Sequence, residues 1–205
     1  MGSSYGGLFT LFALFHETAL FQRYVLTSPA IGFDNGVTFT YEENHAASHR
    51  QLPVRLFMAI GELEETSGFQ SFVNRLKSRN YDGLRLQSRI LEGMGHSGEK
   101  AEGYTRGLQA VFERPSLNID ASILDQYVGV YQLSSGLKFT ISIEQGRLSL
   151  LTPRSVQLGL HAETEADFYV KGRRFLIHFK KENAGRVTGF LAERYGSEDF
   201  MRRVN

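Results

Sequence analysis

The chain has 205 residues, 41% of them hydrophobic and 22% charged, which is the composition of an ordinary folded protein of one large domain or two small ones. A formal net charge of +1, spread without long runs of one sign, argues against an electrostatic grip on nucleic acid or on an anionic membrane surface. Cysteine is absent, which excludes a disulfide frame, a thiolate nucleophile and a cysteine-based zinc site.

The first residues, Met1-Gly-Ser-Ser-Tyr-Gly-Gly, lack the basic start of a secretion signal, and the apolar stretch Leu8–Phe15 is far shorter than the ~20 residues of a membrane span. Residues 8–21 carry apolar side chains at three- and four-residue steps that nearly encircle the axis, which predicts a buried helix. Tyr24–Ser28, closed by Pro29, predicts a buried strand. The polar segment from Ile31 to Gln51 reads as an irregular surface excursion. Val54–Ile60 predicts a second strand, ended by Gly61, and Phe69–Arg79 a helix with Phe69, Phe72, Val73 and Leu76 inward. Leu84–Leu91 is a third strand, and Ala101–Phe112 a last helix with Tyr104, Leu108, Val111 and Phe112 on one face. Strands alternating with helices predict a parallel sheet of the α/β class.

The rhythm changes near residue 118. Beyond it come short alternating runs, at 127–131, 139–143, 147–151, 168–170, 175–179 and 187–190, separated by turn residues such as Glu144-Gln-Gly146. They predict an all-β domain over 119–205, an antiparallel sheet curling into a small barrel. Its aromatic residues (Tyr127, Tyr131, Phe139, Phe168, Phe175 and Phe179) are read as barrel core rather than as the lining of a ligand pocket.

Gly2-Ser-Ser-Tyr-Gly6 fits the G-x-S-x-G elbow, in which a serine sits on a tight strand-to-helix turn and flanking glycines avoid a clash. The helix that follows aims its first N–H groups at the site, and the Tyr5 N–H would be one oxyanion donor. In such a fold the acid follows a later strand and the histidine the last one. Glu62, Glu64 and Glu65 follow the second strand, and His96 follows the third within Gly93-Met-Gly-His-Ser-Gly98. Ser4 would be the nucleophile and His96 its general base. His45 and His49, four residues apart with no third ligand, are read as surface residues, and no metal site is expected.

Five separated segments, Gly2-Ser-Ser-Tyr-Gly-Gly-Leu8, Leu20-Phe-Gln-Arg-Tyr24, Ser28-Pro-Ala30, Gly61-Glu-Leu-Glu64 and Gly95-His-Ser97, resemble in order and spacing the esterase D-like and enterochelin-esterase-like α/β-hydrolases. The resemblance covers about the first 115 residues. It implies a carboxylic-ester hydrolase without a cofactor, acting on a small-molecule ester, with Ser4 as nucleophile and His96 as base. The family's acid position falls on Glu64, with Glu62 the second choice. The later segments Leu124-Asp-Gln-Tyr-Val-Gly-Val-Tyr131 and Gly185-Arg-Val-Thr-Gly-Phe190 are similar to the lipocalin-like module that follows many bacterial serine hydrolases, which implies an accessory role.

A complete α/β-hydrolase has several strands before its elbow, and one of their loops supplies the second oxyanion N–H. With the elbow at Gly2, the sequence predicts the C-terminal half of such a sheet, for which one missing donor costs ~10²–10³ in kcat. It also predicts an uncovered edge at Tyr24–Ser28 and, through it, pairing with a second copy. The competing expectation is a non-catalytic remnant that acts as a binding or assembly module.

Overall fold

In the computed structural model, which describes residues 1–204, the chain divides after Glu113 into two compact units. The first unit contains a sheet of four parallel strands in the order β1-β2-β3-β4: Gly2–Ser3, Arg23–Thr27, Arg55–Gly61 and Arg85–Leu91. Two of them explain the layering. Tyr24, Val25 and Leu26 of β2, and Leu56 through Ile60 of β3, are all buried, as unbroken apolar runs must be when both faces of a sheet are covered. Strand β4 alternates instead, with Arg85, Gln87 and Arg89 exposed, and charged side chains of this kind blunt the outer edge.

Helices α1 (Tyr5–His16) and α3 (Ser67–Arg79) bury Leu11, Leu14, Phe69, Phe72 and Leu76 in one cluster with Tyr24, Leu26, Leu56 and Met58. The alternate sheet residues Val25, Phe57 and Ala59 join Val111 of α4 (Glu99–Val111) in a second cluster. A layer of helix therefore lies on each face.

Three local expectations need correction. Residues 31–51 are not irregular: α2 spans Phe33–Ser48, kinked where Asp34, Asn35 and Gly36 take positive φ. Its buried residues are Thr38, Glu42 and His45, so a polar stripe, not an apolar one, carries the helical period. Glu42, 0% exposed, is satisfied by Arg75, by Arg79 at 2.9 Å and by the Tyr81 hydroxyl at 2.7 Å. Burial pushes its carboxyl up, but the hydrogen bonds from Arg79, Tyr81 and Arg75 outweigh this and hold it below the usual carboxyl range. His45 is likewise buried, stacked on exposed His49 with ring centroids 4.6 Å apart.

Helix α1 ends at His16, and Phe9 and Phe12 on it are exposed, so it is only half enclosed. Helix α4 turns inward only part of the face its large residues suggest: Val111 is buried and Tyr104 packs against its cluster, but the buried stripe runs on through glycines. Leu108 and Phe112 are 42% and 61% exposed, whereas Glu99, Gly103, Gly107 and Val111 are buried. A Cβ on Gly107 would stand 2.3 Å from Val25 Cγ1, and one on Gly103 2.7 Å from Thr27 Cγ2. The helix meets the sheet backbone-first, and only residues without a side chain permit that approach.

The second unit opens with α5 (Ala121–Asp125), whose N-cap Asp120 accepts from the Ser122 N–H at 2.8 Å. Eight strands follow: β5 (Gly129–Gln132), β6 (Lys138–Glu144), β7 (Arg147–Leu151), β8 (Gln157–Ala162), β9 (Asp167–Val170), β10 (Phe175–Lys181), β11 (Val187–Arg194) and β12 (Ser197–Arg203). They close antiparallel into a barrel in the order β10-β11-β12-β5-β6-β7-β8-β9. Strands β8 and β12 lie beyond the six expected runs; β12 reads Ser-Glu-Asp-Phe-Met-Arg-Arg and buries only Met201. Inward residues alternate, as in Phe175, Ile177 and Phe179 of β10. The interior is filled by aromatic rings: Phe179 stacks on Tyr127 at 4.1 Å and meets Phe168 and Phe190 edge-on at 5.6 Å. The turn between β6 and β7 places Gln145 and Gly146 at φ 49° and 75°, as a tight hairpin requires.

Candidate active site

Ser4 stands between β1 and α1 with φ 55° and ψ −121°, a conformation costly for any residue with a side chain. Its backbone is held from both sides. The Ser4 N–H points at the carbonyls of Thr27 and Ser28, at 3.2 and 3.1 Å, while its own carbonyl accepts from Leu8 and Ala30, each at 3.1 Å. Gly2 and Gly7 make the turn sterically feasible. A Cβ on Gly2 would lie 2.1 Å from the Gly6 carbonyl oxygen, and one on Gly7 2.8 Å from Pro29. Gly6, expected to relieve a clash, has open space at its own Cβ position. Tyr5 is the first residue of α1, so its N–H lacks an intrahelical acceptor, and its exposed ring meets Phe33 edge-on at 5.4 Å.

The three glutamates after β3 have different partners. Glu64 Oε1 accepts from the Gly61 N–H at 2.8 Å and from the Ser28 hydroxyl at 2.5 Å. Its Oε2 lies 2.6 Å from His96 Nδ1. Burial raises the Glu64 carboxyl, but the hydrogen bonds from Ser28, His96 and Gly61 prevail and hold it below its ordinary value. An ionised carboxylate can only accept, so Nδ1 carries the hydrogen and Nε2 is left as the basic nitrogen. Glu62 instead accepts from the Gly93 N–H at 2.9 Å, bracing the loop that bears His96, and Glu65 accepts from Ser67 N–H at 2.9 Å at the start of α3.

The loops themselves are laced together. The Met94 carbonyl accepts from Leu63 N–H at 3.0 Å, and a Cβ on Gly61 would come within 2.3 Å of that same oxygen. Gly61 is therefore required where the two loops cross.

Glu64 and His96 are thus brought together, and Ser4 reaches the pair only through the backbone, its N–H bonded to Ser28. Among the described residues the half-exposed Ser4 hydroxyl makes no hydrogen bond. Ser28, which links the two halves, enters the sequence reading as the end of a strand and the start of a Ser-Pro-Ala segment, not as a site residue; its φ of 40° marks it as a second strained residue beside Ser4. Among the described residues no group of three His, Asp or Glu could hold a metal ion.

No protein-family model matches the chain, and no curated protein does. Among solved structures, the chain is similar to the BES protein from Bacillus cereus, with 28% identity over 54% of this chain and 43% of that one, at a TM-score of 0.48. It is also similar to an IroE-like serine hydrolase from Shewanella oneidensis, with 22% identity over 62% and 42% of the two chains and a TM-score of 0.48. The siderophore hydrolase EstB from Aspergillus nidulans gives 23% identity over 56% and 49% at a TM-score of 0.45. The chain spans less than half the length of each of these proteins.

Proposed function

We propose that this chain supplies the nucleophile, base and acid of a serine carboxylic-ester hydrolase that works through an acyl-enzyme. Ser4 Oγ attacks the ester carbonyl carbon as its proton passes to His96 Nε2. The bond to the alcohol then breaks, and the same proton leaves on the alcohol oxygen. Water, losing a proton to His96, attacks the acyl-enzyme; the carboxylic acid departs and the proton returns to Ser4. Glu64 holds the imidazole in the required tautomer and offsets its charge when it is protonated, and the Tyr5 N–H is one donor to the oxyanion.

The observation that carries this reading is the 2.6 Å contact between Glu64 Oε2 and His96 Nδ1, which leaves Nε2 basic on a half-exposed ring. The strained, doubly anchored backbone of Ser4 supports the same reading. The test is labelling with a fluorophosphonate, located by mass spectrometry, together with turnover of p-nitrophenyl acetate. The adduct is expected on Ser4, and Ser4→Ala should abolish both signals. A protein that neither labels at Ser4 nor turns over the ester would instead be a non-catalytic binding or assembly module, a role to which the exposed rings of Tyr5, Phe9 and Phe33 are suited.

A further inference from the structure

Glu99 opens α4, three residues after His96, and is 0% exposed. Neither of its carboxyl oxygens has a hydrogen-bond partner among the described residues. The group is wedged between helix and sheet: the Cβ that Gly103 lacks would stand 3.0 Å from Glu99 Oε2 and 2.7 Å from Thr27 Cγ2. The polar groups around it include the Ser28 hydroxyl at the end of β2, Glu64 after β3, His96 on its own loop and Lys100 on its own helix, and Thr27, whose hydroxyl is also buried without a partner among the described residues, packs at the same Gly103 gap.

A hydroxyl has one hydrogen and two lone pairs. The Ser28 hydrogen is given to Glu64, so all that Ser28 offers Glu99 is an acceptor. A carboxylate brings no hydrogen to an acceptor, and it would add a second negative charge beside Glu64 in a site closed to water. A carboxylic acid brings the one hydrogen that is missing. We propose that Glu99 is a positioning residue which, as the neutral acid, donates to Ser28 Oγ and so fixes the chain from Ser28 through Glu64 to His96. This rests on the reading of His96 as the catalytic base. Burial raises the Glu99 carboxyl above its ordinary value, and the charge on Glu64 adds to the rise, while His96 and Lys100 oppose it.

Two measurements need no substrate. A carboxyl whose pKa is raised by folding contributes stability below its unfolded pKa, and this is lost as pH rises through the folded value. Glutamine keeps the donor and cannot ionise. The melting temperature of E99Q relative to the parent should therefore climb as pH rises above the ordinary carboxyl value of about 4.5. A difference that fails to climb, or an E99Q that melts below the parent at the higher pH, overturns the proposal.

The second measurement is the NMR titration of the His96 ring. E99A and S28A should shift it in the same direction, the double variant no further than the larger single shift, and E99Q should bring it back toward the parent. An E99A protein whose His96 titrates as in the parent also overturns the proposal; should E99A fail to fold, the E99Q melting series decides. In the ester assay E99A should lower kcat at unchanged KM. A parent protein without esterase activity would defeat the hydrolase reading and leave the two titration arms to judge Glu99 by themselves.

Discussion

Oε2 of Glu64 and Nδ1 of His96 stand 2.6 Å apart, although 32 residues separate them in the chain. Each lies on a loop that follows a parallel strand, and the Met94 carbonyl ties the two loops together through the Leu63 N–H. The contact is thus set by strand order and backbone lacing before any side chain chooses a rotamer.

If that contact sets the tautomer, the two partners should be sensitive in different ways. Removing the base, in His96→Ala, should lower kcat/KM by ~10²–10⁴. Glu64→Gln should cost a comparable factor, because an amide N–H can donate to Nδ1 and turn Nε2 into a donor. Glu62→Gln only loosens a brace on the Gly93 N–H and should cost much less. Steady-state kinetics decide; equal losses at positions 62 and 64 would end the assignment of Glu64.

Acid should weaken the first unit in part through Glu64. Its carboxyl is held below the ordinary value, so its contribution is present above the unfolded pKa of about 4.5 and is lost as pH falls through the lower folded value. Urea midpoints measured from neutral pH downward should therefore fall less steeply in Glu64→Gln than in the parent. Parallel curves would show that Glu64 gains nothing from its partners on folding.

The cluster around Glu42 should be costly to break. Glu42→Gln leaves Arg75 and Arg79 with the exposed Glu43 as their charged partner and should destabilise the unit by about 2 kcal/mol, below the loss for a fully buried pair because both arginines keep that partner and some water. Denaturant titration of the variant measures it, and a loss below about 1 kcal/mol would mean that the arginines find equivalent partners.

That same cluster explains where sequence reading stopped. Strand β3 was legible because Val54–Ile60 is an unbroken apolar run. Helix α2 was not, since its inward positions are Thr38, Glu42 and His45, and no hydropathy pattern marks a stripe satisfied by two distant arginines and a tyrosine. The inward face of α4 was legible only at Val111 and Tyr104, for the opposite reason: glycine carries no hydrophobic signal, yet Gly103 and Gly107 are what allow the close approach. In the candidate site, chain order located the loops of Glu64 and His96. Ser28 and Glu99 stayed hidden, because a serine 36 residues from its acceptor and one more glutamate at a helix start look like surface residues until the fold brings them together.

Self-association is expected as well. Phe9 is 68% exposed on α1, with Tyr5 and Phe12 on the same helix and Phe33 edge-on to Tyr5 also exposed, and β1 covers only Leu26 and Thr27 of β2. A patch of this kind seldom stays bare on a soluble monomer. Light scattering coupled to size exclusion should give a mass that rises with concentration, and Phe9→Lys should lower it. A constant monomer mass would mean that neither the patch nor the sheet edge recruits a second copy.

The closed order of the barrel has a consequence for how that unit can be handled. Strand β12 pairs with β5, Arg203 lying opposite Tyr131, and the Val204 N–H reaches the Val130 carbonyl at 2.8 Å. The first and last strands of the ring are neighbours, so the ring has no edge strand, and the exposed hairpin at Gln145–Gly146 could take an insertion while the strand pairings are kept.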